Sequence, residues 1–321
     1  MNLVAVLTNL KSTRNLSVVN RVRAVIDAHN GVFHYEIDDV ADIPEVLRRF
    51  AEYGADILVI NGGDGTIQAT FSSLINDRPF ERVPPVAILP AGKTNMIAED
   101  LGARKPRPHL YLERILTLAA RGGILEHTEE RHLLKVEGIP GQAPLHGMFL
   151  GTAGIVEGIT ACRRKIYPLG LPNFLSHSLA VAVIAFGAVT GRFGRAGTAP
   201  AIKVRLDDKG AVVGHYFLII VTTLNRLILG FKPFGREGHG PVHFLSVESR
   251  PWTVIRSLWL AITGRIHKTF LTGLTARNAK AVRIRARGAV TVDGEMYSMP
   301  EDHDLVVSSD DHLRFLRLDG L

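Results

Sequence analysis

The chain has 321 residues, 46% of them hydrophobic and 21% charged, which excludes wholesale disorder and leaves room for two domains with separate cores. Its one cysteine excludes an internal disulfide framework and any zinc-finger module. Against 31 acidic residues stand 38 lysines and arginines, a net charge of +7 that suits nucleic acid, an anionic membrane or phosphorylated small molecules without choosing among them. The start, MNLVAVLTNL, lacks a basic leader region and a small-residue cleavage site, so no signal peptide is expected.

The first third alternates strand-like and helix-like stretches. Leu3 to Thr8 reads as a buried strand, and Val18, Val19, Val22, Val25 and Ile26 recur at helical spacing before Gly31. Val32 to Ile37 reads as a second strand. Pro44 and Glu45 open a helix carrying Val46, Leu47 and Phe50, which stops at Gly54. Ile57 to Ile60 and Val86 to Leu89 are wholly apolar strands. Such strands separated by helices predict a parallel sheet covered on both faces.

The pattern changes after residue 127. Short strands are predicted at His132–Val136, Ile202–Leu206, Tyr216–Thr222, Val242–Val247, Val282–Ala286, Val290–Val292, Leu305–Val307 and Leu313–Leu318, many joined by glycine-rich connections, which predicts a sandwich or barrel-like second domain. The expected division is therefore an α/β domain over 1–127 and a β-rich, sandwich-like domain over 128–321. Phe174–Thr190 is strongly apolar but shorter than the ~20 residues a spanning helix needs, and it reads as a buried or interfacial helix. Pro251–Lys268 reads as a helix with Trp252, Ile255, Trp259 and Ile262 along one side.

Chemistry concentrates at Asn61-Gly62-Gly63-Asp64-Gly65-Thr66, directly between the ILVI strand and a helical pattern. Glycines at a strand-to-helix turn let the backbone approach a bound group closely, and the helix N-terminus offers free N–H groups and partial positive charge to a phosphate. Asp64 would repel bare phosphates. It makes sense as a holder of Mg²⁺ or as a proton acceptor; the bland alternative is a tight Asp-Gly turn. A second glycine turn, Pro90-Ala91-Gly92-Lys93-Thr94-Asn95, follows the next strand at the sheet's carboxyl edge, where open α/β folds bind ligands. Read blandly, Thr94 or Asn95 is there a helix cap.

GGDGT followed by a P-x-G-x-x-N loop resembles the diacylglycerol kinase catalytic-domain family, the lipid kinases that include bacterial diacylglycerol kinases and sphingosine and ceramide kinases. Asn9 to Asn15 stands where that family has N-P-x-S-G; Asn9 and Ser12 match, while Leu10 and Thr13 depart. Late in the chain, Asp293-Gly294-Glu295 matches the family's D-G-E. GGDGT alone is shared with NAD kinases and phosphofructokinase-like enzymes, whereas GGDGT with a late DGE is more specific.

The resemblance implies an NAD-kinase-like nucleotide domain followed by a β-sandwich-like domain, with ATP and the lipid hydroxyl meeting in a cleft. It implies that Gly62, Gly63, Asp64, Gly65 and Thr66, joined by Gly92, Lys93, Thr94 and Asn95, line the nucleotide phosphates and Mg²⁺, with Asp64 at the metal. Asn9 and Ser12 would approach the nucleotide, and Glu295 would accept the proton of the lipid hydroxyl. Lys93 and Met96 replace the threonine and aspartate of the family's G-T-x-N-D loop, and Gly235-Arg236-Glu237-Gly238 lacks the paired aspartates that hold a structural Mg²⁺ in many bacterial members, so that site is not carried over.

The expected function is an ATP- and Mg²⁺-dependent lipid kinase acting on diacylglycerol or a related lipid, cytoplasmic and peripheral at the inner face of the membrane. The alternatives are a sphingoid base or soluble acceptor on the same fold, or a non-catalytic nucleotide- or lipid-binding protein. Arg283, Arg285 and Arg287 alternate with apolar residues, so a strand there would turn all three to one face as a footing on anionic lipid or as a plain solvated face. Arg265, His267, Lys268, Arg277 and Lys280, with Arg163, Arg164 and Lys165 upstream, extend the charge. No basic-aromatic or recognition-helix pattern supports nucleic acid, and the sequence leaves the oligomeric state open.

Overall fold

The computed structural model describes residues 2–11, 15–92, 94–153, 156, 201–207, 210–227, 230–232, 235, 237–266, 269–299 and 303–319. Ser12, Lys93, Arg163–Lys165, Arg236, His267, Lys268 and the apolar stretch 174–190 lie outside them.

The chain forms two units, one of residues 1–133 with 311–321 and one of residues 134–310. The first runs β1 (Val4–Asn9), α1 (Asn15–Asp27), β2 (Val32–Ile37), α2 (Ile43–Glu52), β3 (Ile57–Asn61), α3 (Asp64–Asn76), β4 (Val86–Ile88), α4 (Met96–Asp100), α5 (Pro108–Arg121) and β5 (Thr128–His132). The second runs β6 (Leu134–Glu137), β7 (Leu145–Gly147), β8 (Phe149–Ala153), β9 (Ile202–Leu206), β10 (Val212–Gly214), β11 (Tyr216–Thr222), β12 (Val242–Glu248), α6 (Pro251–Ile262), β13 (Leu274–Ala279), β14 (Ala281–Arg285), β15 (Gly288–Val292), β16 (Glu295–Met299) and β17 (Leu305–Ser308). The chain then returns to the first unit as β18 (His312–Leu316).

The first sheet has the order β2-β1-β3-β4-β18-β5 among the described strands. Neighbours from β2 to β18 pair in parallel, and β5 is antiparallel to β18. Val4–Leu7, Ile57–Ile60 and Val86–Ile88 are buried throughout, as strands covered on both faces must be. The structure thus bears out an α/β unit but makes its sheet mixed. The expected division after residue 127 falls instead after Leu133, and the predicted strand His132–Val136 is broken there into β5 and β6, which belong to different sheets. The Leu133 N–H donates to Asp311 O, so chain leaves and re-enters the first unit side by side.

The C-terminal strand also departs from expectation. Alternation cannot say which sheet a strand joins; here Phe315 settles it by packing edge-on against Phe71 of α3, ring centroids 5.6 Å apart. α5 went unpredicted although Pro108 opens it and Gly122, at φ 79°, ends it.

Among the described residues the second unit has two antiparallel sheets, β10-β9-β14-β17-β6-β7 and β13-β12-β11-β8-β15-β16, sharing one apolar core. Val204, Val282, Ile284 and Val307 from the first of these meet Leu150, Ile219, Phe244 and Val290 from the second. This is a sandwich, as the alternating strands predict. α6 ends at Ile262, capped by Thr263 with Gly264 at φ 65° just beyond, earlier than the expected Lys268. It covers the outer face of the second sheet, where Val254 packs with Phe217 and Val247.

Candidate active site

The order β2-β1-β3-β4 places a topological switch point between β1 and β3, because the connections from these strands leave toward opposite edges of the sheet. Open α/β sheets bind ligands outside the carboxyl ends of strands at such a point. β1 ends there in Asn9, and β3 ends in Asn61 and runs into the glycine turn.

The turn is fixed from beneath by buried polar contacts. Asn9 Nδ2 donates to Thr66 Oγ1 at 2.8 Å, bridging the end of β1 to the first turn of α3, and Asn9 Oδ1 accepts from Lys11 N at 2.9 Å. A β-carbon on Gly62 would lie 2.6 Å from Thr66 Cβ, so glycine is what lets the turn close onto the helix. Asn61, wholly buried, donates to Thr8 Oγ1 at 3.2 Å. His34 Nε2 stands 2.9 Å from the same hydroxyl, and burial holds its imidazole below the ordinary range.

Gly63 caps α3 in extended conformation with its carbonyl accepting from Ile67 N, and Asp64 and Gly65 open the helix. Gly63, Asp64 and Gly65 are all partly accessible. The first N–H groups of α3 have no carbonyl partner within the helix, and Gly63 brings no capping side chain, which suits an anion.

The second glycine turn lies against the first. A β-carbon on Gly92 would come within 3.1 Å of Gly63 Cα and 3.7 Å of Asp64 N. Asn95, buried and left-handed at φ 56°, begins α4 and directs its Oδ1 back toward Gly92. Thr94 sits beside it, partly accessible. The far end of α4 is held by Asp100, which pairs with Arg131 of β5 at 2.5 Å; both side chains are almost fully buried. Thus Asn9, Gly62, Gly63, Asp64, Gly65, Thr66, Gly92, Thr94 and Asn95 come together at one sheet edge. Sequence reasoning missed Thr8, His34 and Arg131, which hold this edge from behind and carry no local motif.

Glu295 belongs to the second unit. Asp293 and Gly294, at φ 44° and 91°, form the two-residue turn between β15 and β16, the conformation an Asp-Gly hairpin demands. The Asp293 carboxylate is buried and accepts from Phe149 N at 2.9 Å and Met148 N at 3.1 Å, while Asp293 N donates to Phe149 O. A β-carbon on Gly147 would collide with that carboxylate. Asp293 therefore clamps the hairpin to β8, and Glu295, opposite Val292, stands exposed at the start of β16. Burial, then the Glu295 and Asp293 charges, push the nearby Tyr297 phenol upward.

Among the described residues no three His, Cys, Asp or Glu side chains gather as a metal site. Mg²⁺ that travels with a nucleotide needs only one or two protein carboxylates, with phosphates and water completing its shell. Asp64, at the edge where two glycine turns meet, fits that lesser requirement.

The fold and this edge define a class: an α/β domain with paired glycine turns at its switch point. Residues 4–122 match the family model of the diacylglycerol kinase catalytic domain, which bears out the resemblance carried by those turns. A crystal structure of a candidate diacylglycerol kinase from Bacillus anthracis str. Sterne aligns over 98% of this chain and 96% of its own at 17% identity and TM-score 0.62. A second structure of a candidate diacylglycerol kinase from that strain gives 18% identity, the same coverage and 0.61. A diacylglycerol kinase from it gives 16%, the same coverage and 0.56. At these identities the likeness is one of fold. No curated protein matches the chain.

Proposed function

We propose that this protein is a lipid kinase that transfers the γ-phosphoryl group of ATP to the hydroxyl of diacylglycerol or a related membrane lipid. The observation that carries the reading is the meeting of the two glycine turns, Gly92 against Gly63 and Asp64 N, at the switch point of a sheet whose residues match a kinase catalytic domain. The same strand order supports an NAD-kinase-like ancestry for the first unit.

In this reading the α3 N-terminus receives phosphate oxygens, while Gly62 and Gly92 allow the backbone to close around them. Asn9 and Thr66 keep the turn in place. Thr94, Asn95, Ser12 and Lys93 extend the nucleotide site. Asp64 would hold Mg²⁺, which when bound neutralises charge on the phosphates. Glu295 accepts the proton of the attacking hydroxyl and orients it, on a hairpin that Asp293 keeps rigid. Phosphoryl transfer asks mainly for such positioning and charge stabilisation.

The test is phosphatidic acid formation from labelled ATP and diacylglycerol in mixed micelles. Glu295→Gln should lower kcat by about 10²-fold or more, the usual contribution of a general base. Equal turnover by that variant removes Glu295 from the role. Transfer to a sphingoid base or soluble alcohol in preference to diacylglycerol changes the acceptor and keeps the kinase. ATP binding by calorimetry without transfer to any hydroxyl compound sinks the reading in favour of a binding protein.

A further inference from the structure

Helix α6 is packed by one face and apolar on the other. Thr253, Val254, Ser257 and Leu260 are buried toward the sheet beneath. Facing away, Trp252 is 77% exposed, Trp259 54% and Ile262 73%, with Ile255 between them. At about 100° per residue these four positions fall within roughly 80° of the helix circumference. They make a stripe about 15 Å long. A surface helix ordinarily carries its polar residues there.

The charge around the stripe is mainly positive, although Arg250 pairs with half-buried Glu248 at 3.0 Å. α6 contains no acidic residue, Arg256 is its one charged residue, and Arg250 and Arg265 bracket it, all exposed. The Arg265 guanidinium stands 5.7 Å from the Trp259 ring centroid. Beyond the helix Phe270 is 95% exposed.

We infer that this face of α6 docks on an anionic lipid bilayer, with the helix lying in the headgroup region. Tryptophan suits that depth because one end of its ring system is apolar and the other donates a hydrogen bond. Arginines beside it meet anionic headgroups. Twelve residues are too few to cross, and no described helix is long and apolar enough to do so. A second copy of this chain fits the stripe poorly, because a twofold contact would bring the arginines of both copies together.

The docking face is not the arginine strand. Arg283 and Arg285 are exposed on the outer face of the other sheet, paired across strands with Arg205 and Lys203. That face and α6 lie on opposite sides of the sandwich, so a flat bilayer meets one of them, and only α6 adds exposed aromatics to its cations.

The inference does not rest on the kinase reading, since it needs no nucleotide. Both tryptophans of the chain are on α6, so intrinsic fluorescence reports this face directly. Vesicles of phosphatidylcholine with phosphatidylglycerol should blue-shift the emission and sediment the protein; phosphatidylcholine alone should do so weakly. W252S/W259S should lower partitioning at least about tenfold, as loss of large buried apolar side chains implies. R256E/R265E should weaken binding, and R205E/R283E should retain it. Melting temperature checks that each variant is folded. Phosphorylation of a water-soluble short-chain diacylglycerol should be unchanged in W252S/W259S; absence of that reaction in the native chain bears on the kinase reading alone. Unshifted emission without sedimentation overturns the inference, as does equal binding by W252S/W259S or loss of binding in R205E/R283E alone. A concentration-dependent dimer abolished by W252S/W259S, without vesicle binding, overturns it in favour of a second copy.

Discussion

Asn9 and Thr66 are 57 residues apart, yet the Asn9 side-chain amide donates to the Thr66 hydroxyl at 2.8 Å inside the fold. Through that bond the end of β1 governs where α3 begins, and so where the first glycine turn sits. Asn9, expected beside the nucleotide, also spends its carbonyl oxygen on Lys11 N, which gives it a positioning contact on both atoms. Thr66→Val keeps the shape and removes the acceptor, and should cost about 1–3 kcal/mol by urea denaturation. Asn9→Leu should cost a similar amount. Combining the two should cost less than their sum, since replacing both partners leaves no unmet group. Additive losses would mean that the bond does not couple the two elements.

Gly92 tests the contact between the two turns. An alanine there would press to 3.1 Å on Gly63 Cα, backbone against backbone, so the turns must part by a few tenths of an ångström. Gly92→Ala is expected to shift the melting temperature little and to raise KM for ATP by about tenfold or more, because a displacement below 1 Å in a positioning element can cost up to 10²-fold. Unchanged nucleotide affinity would detach this contact from phosphate binding. Gly62→Ala differs in kind. Its β-carbon would overlap Thr66 Cβ, on helix framework that cannot swing aside, and the cost should appear as about 1–3 kcal/mol of stability.

The D-G-E motif divides into a structural and a functional half. The Asp293 carboxylate serves the buried Met148 N–H and the half-buried Phe149 N–H where β8 begins, so Asp293→Ala should cost about 2–4 kcal/mol, a loss measurable by thermal unfolding before any assay. Glu295 is exposed at the start of its strand, and Glu295→Gln should leave unfolding within about 0.5 kcal/mol while lowering kcat. The split in readout is the point: a Glu295 variant that unfolds early would make it a second structural residue.

Much of the candidate chemistry is legible in the sequence because it is local. Gly62 to Thr66 and Asp293 to Glu295 each lie in one short run, where glycine spacing and turn preference speak for themselves. What the sequence hides is long-range. Nothing near His312 says that β18 joins a sheet begun some three hundred residues earlier; Phe71, which receives Phe315, decides it. Arg131 reads as an ordinary charged strand residue until Asp100 is found against it. The tryptophans of α6 read first as a stripe packed onto its own sheet, because periodicity gives the angle between faces and not which face meets a neighbour; the structure leaves them exposed instead. Val254 and Leu260 took the sheet, leaving Trp252 and Trp259 outside.

His34 makes the stability of the first unit depend on pH. Its Nε2 lies 2.9 Å from Thr8 Oγ1, within the polar chain that reaches Asn61 behind the glycine turn. Burial lowers its pKa, with the Arg23 charge in the same direction and Glu36, 3.8 Å away, opposing both. Above about pH 6.5 the ring is neutral folded and unfolded, and contributes no slope. As pH falls below that value the unfolded chain takes up a proton that the folded chain refuses, so stability declines until the folded ring protonates too. The slope contributed by one such group is at most about 1.4 kcal/mol per pH unit. His34→Gln, which can still hydrogen-bond Thr8, should flatten this part of the curve when urea unfolding is compared at about pH 7.5 and pH 5.5, on either side of the ordinary imidazole value. An unchanged slope in that variant would assign the acid sensitivity to other groups and leave His34 a neutral spacer in both states.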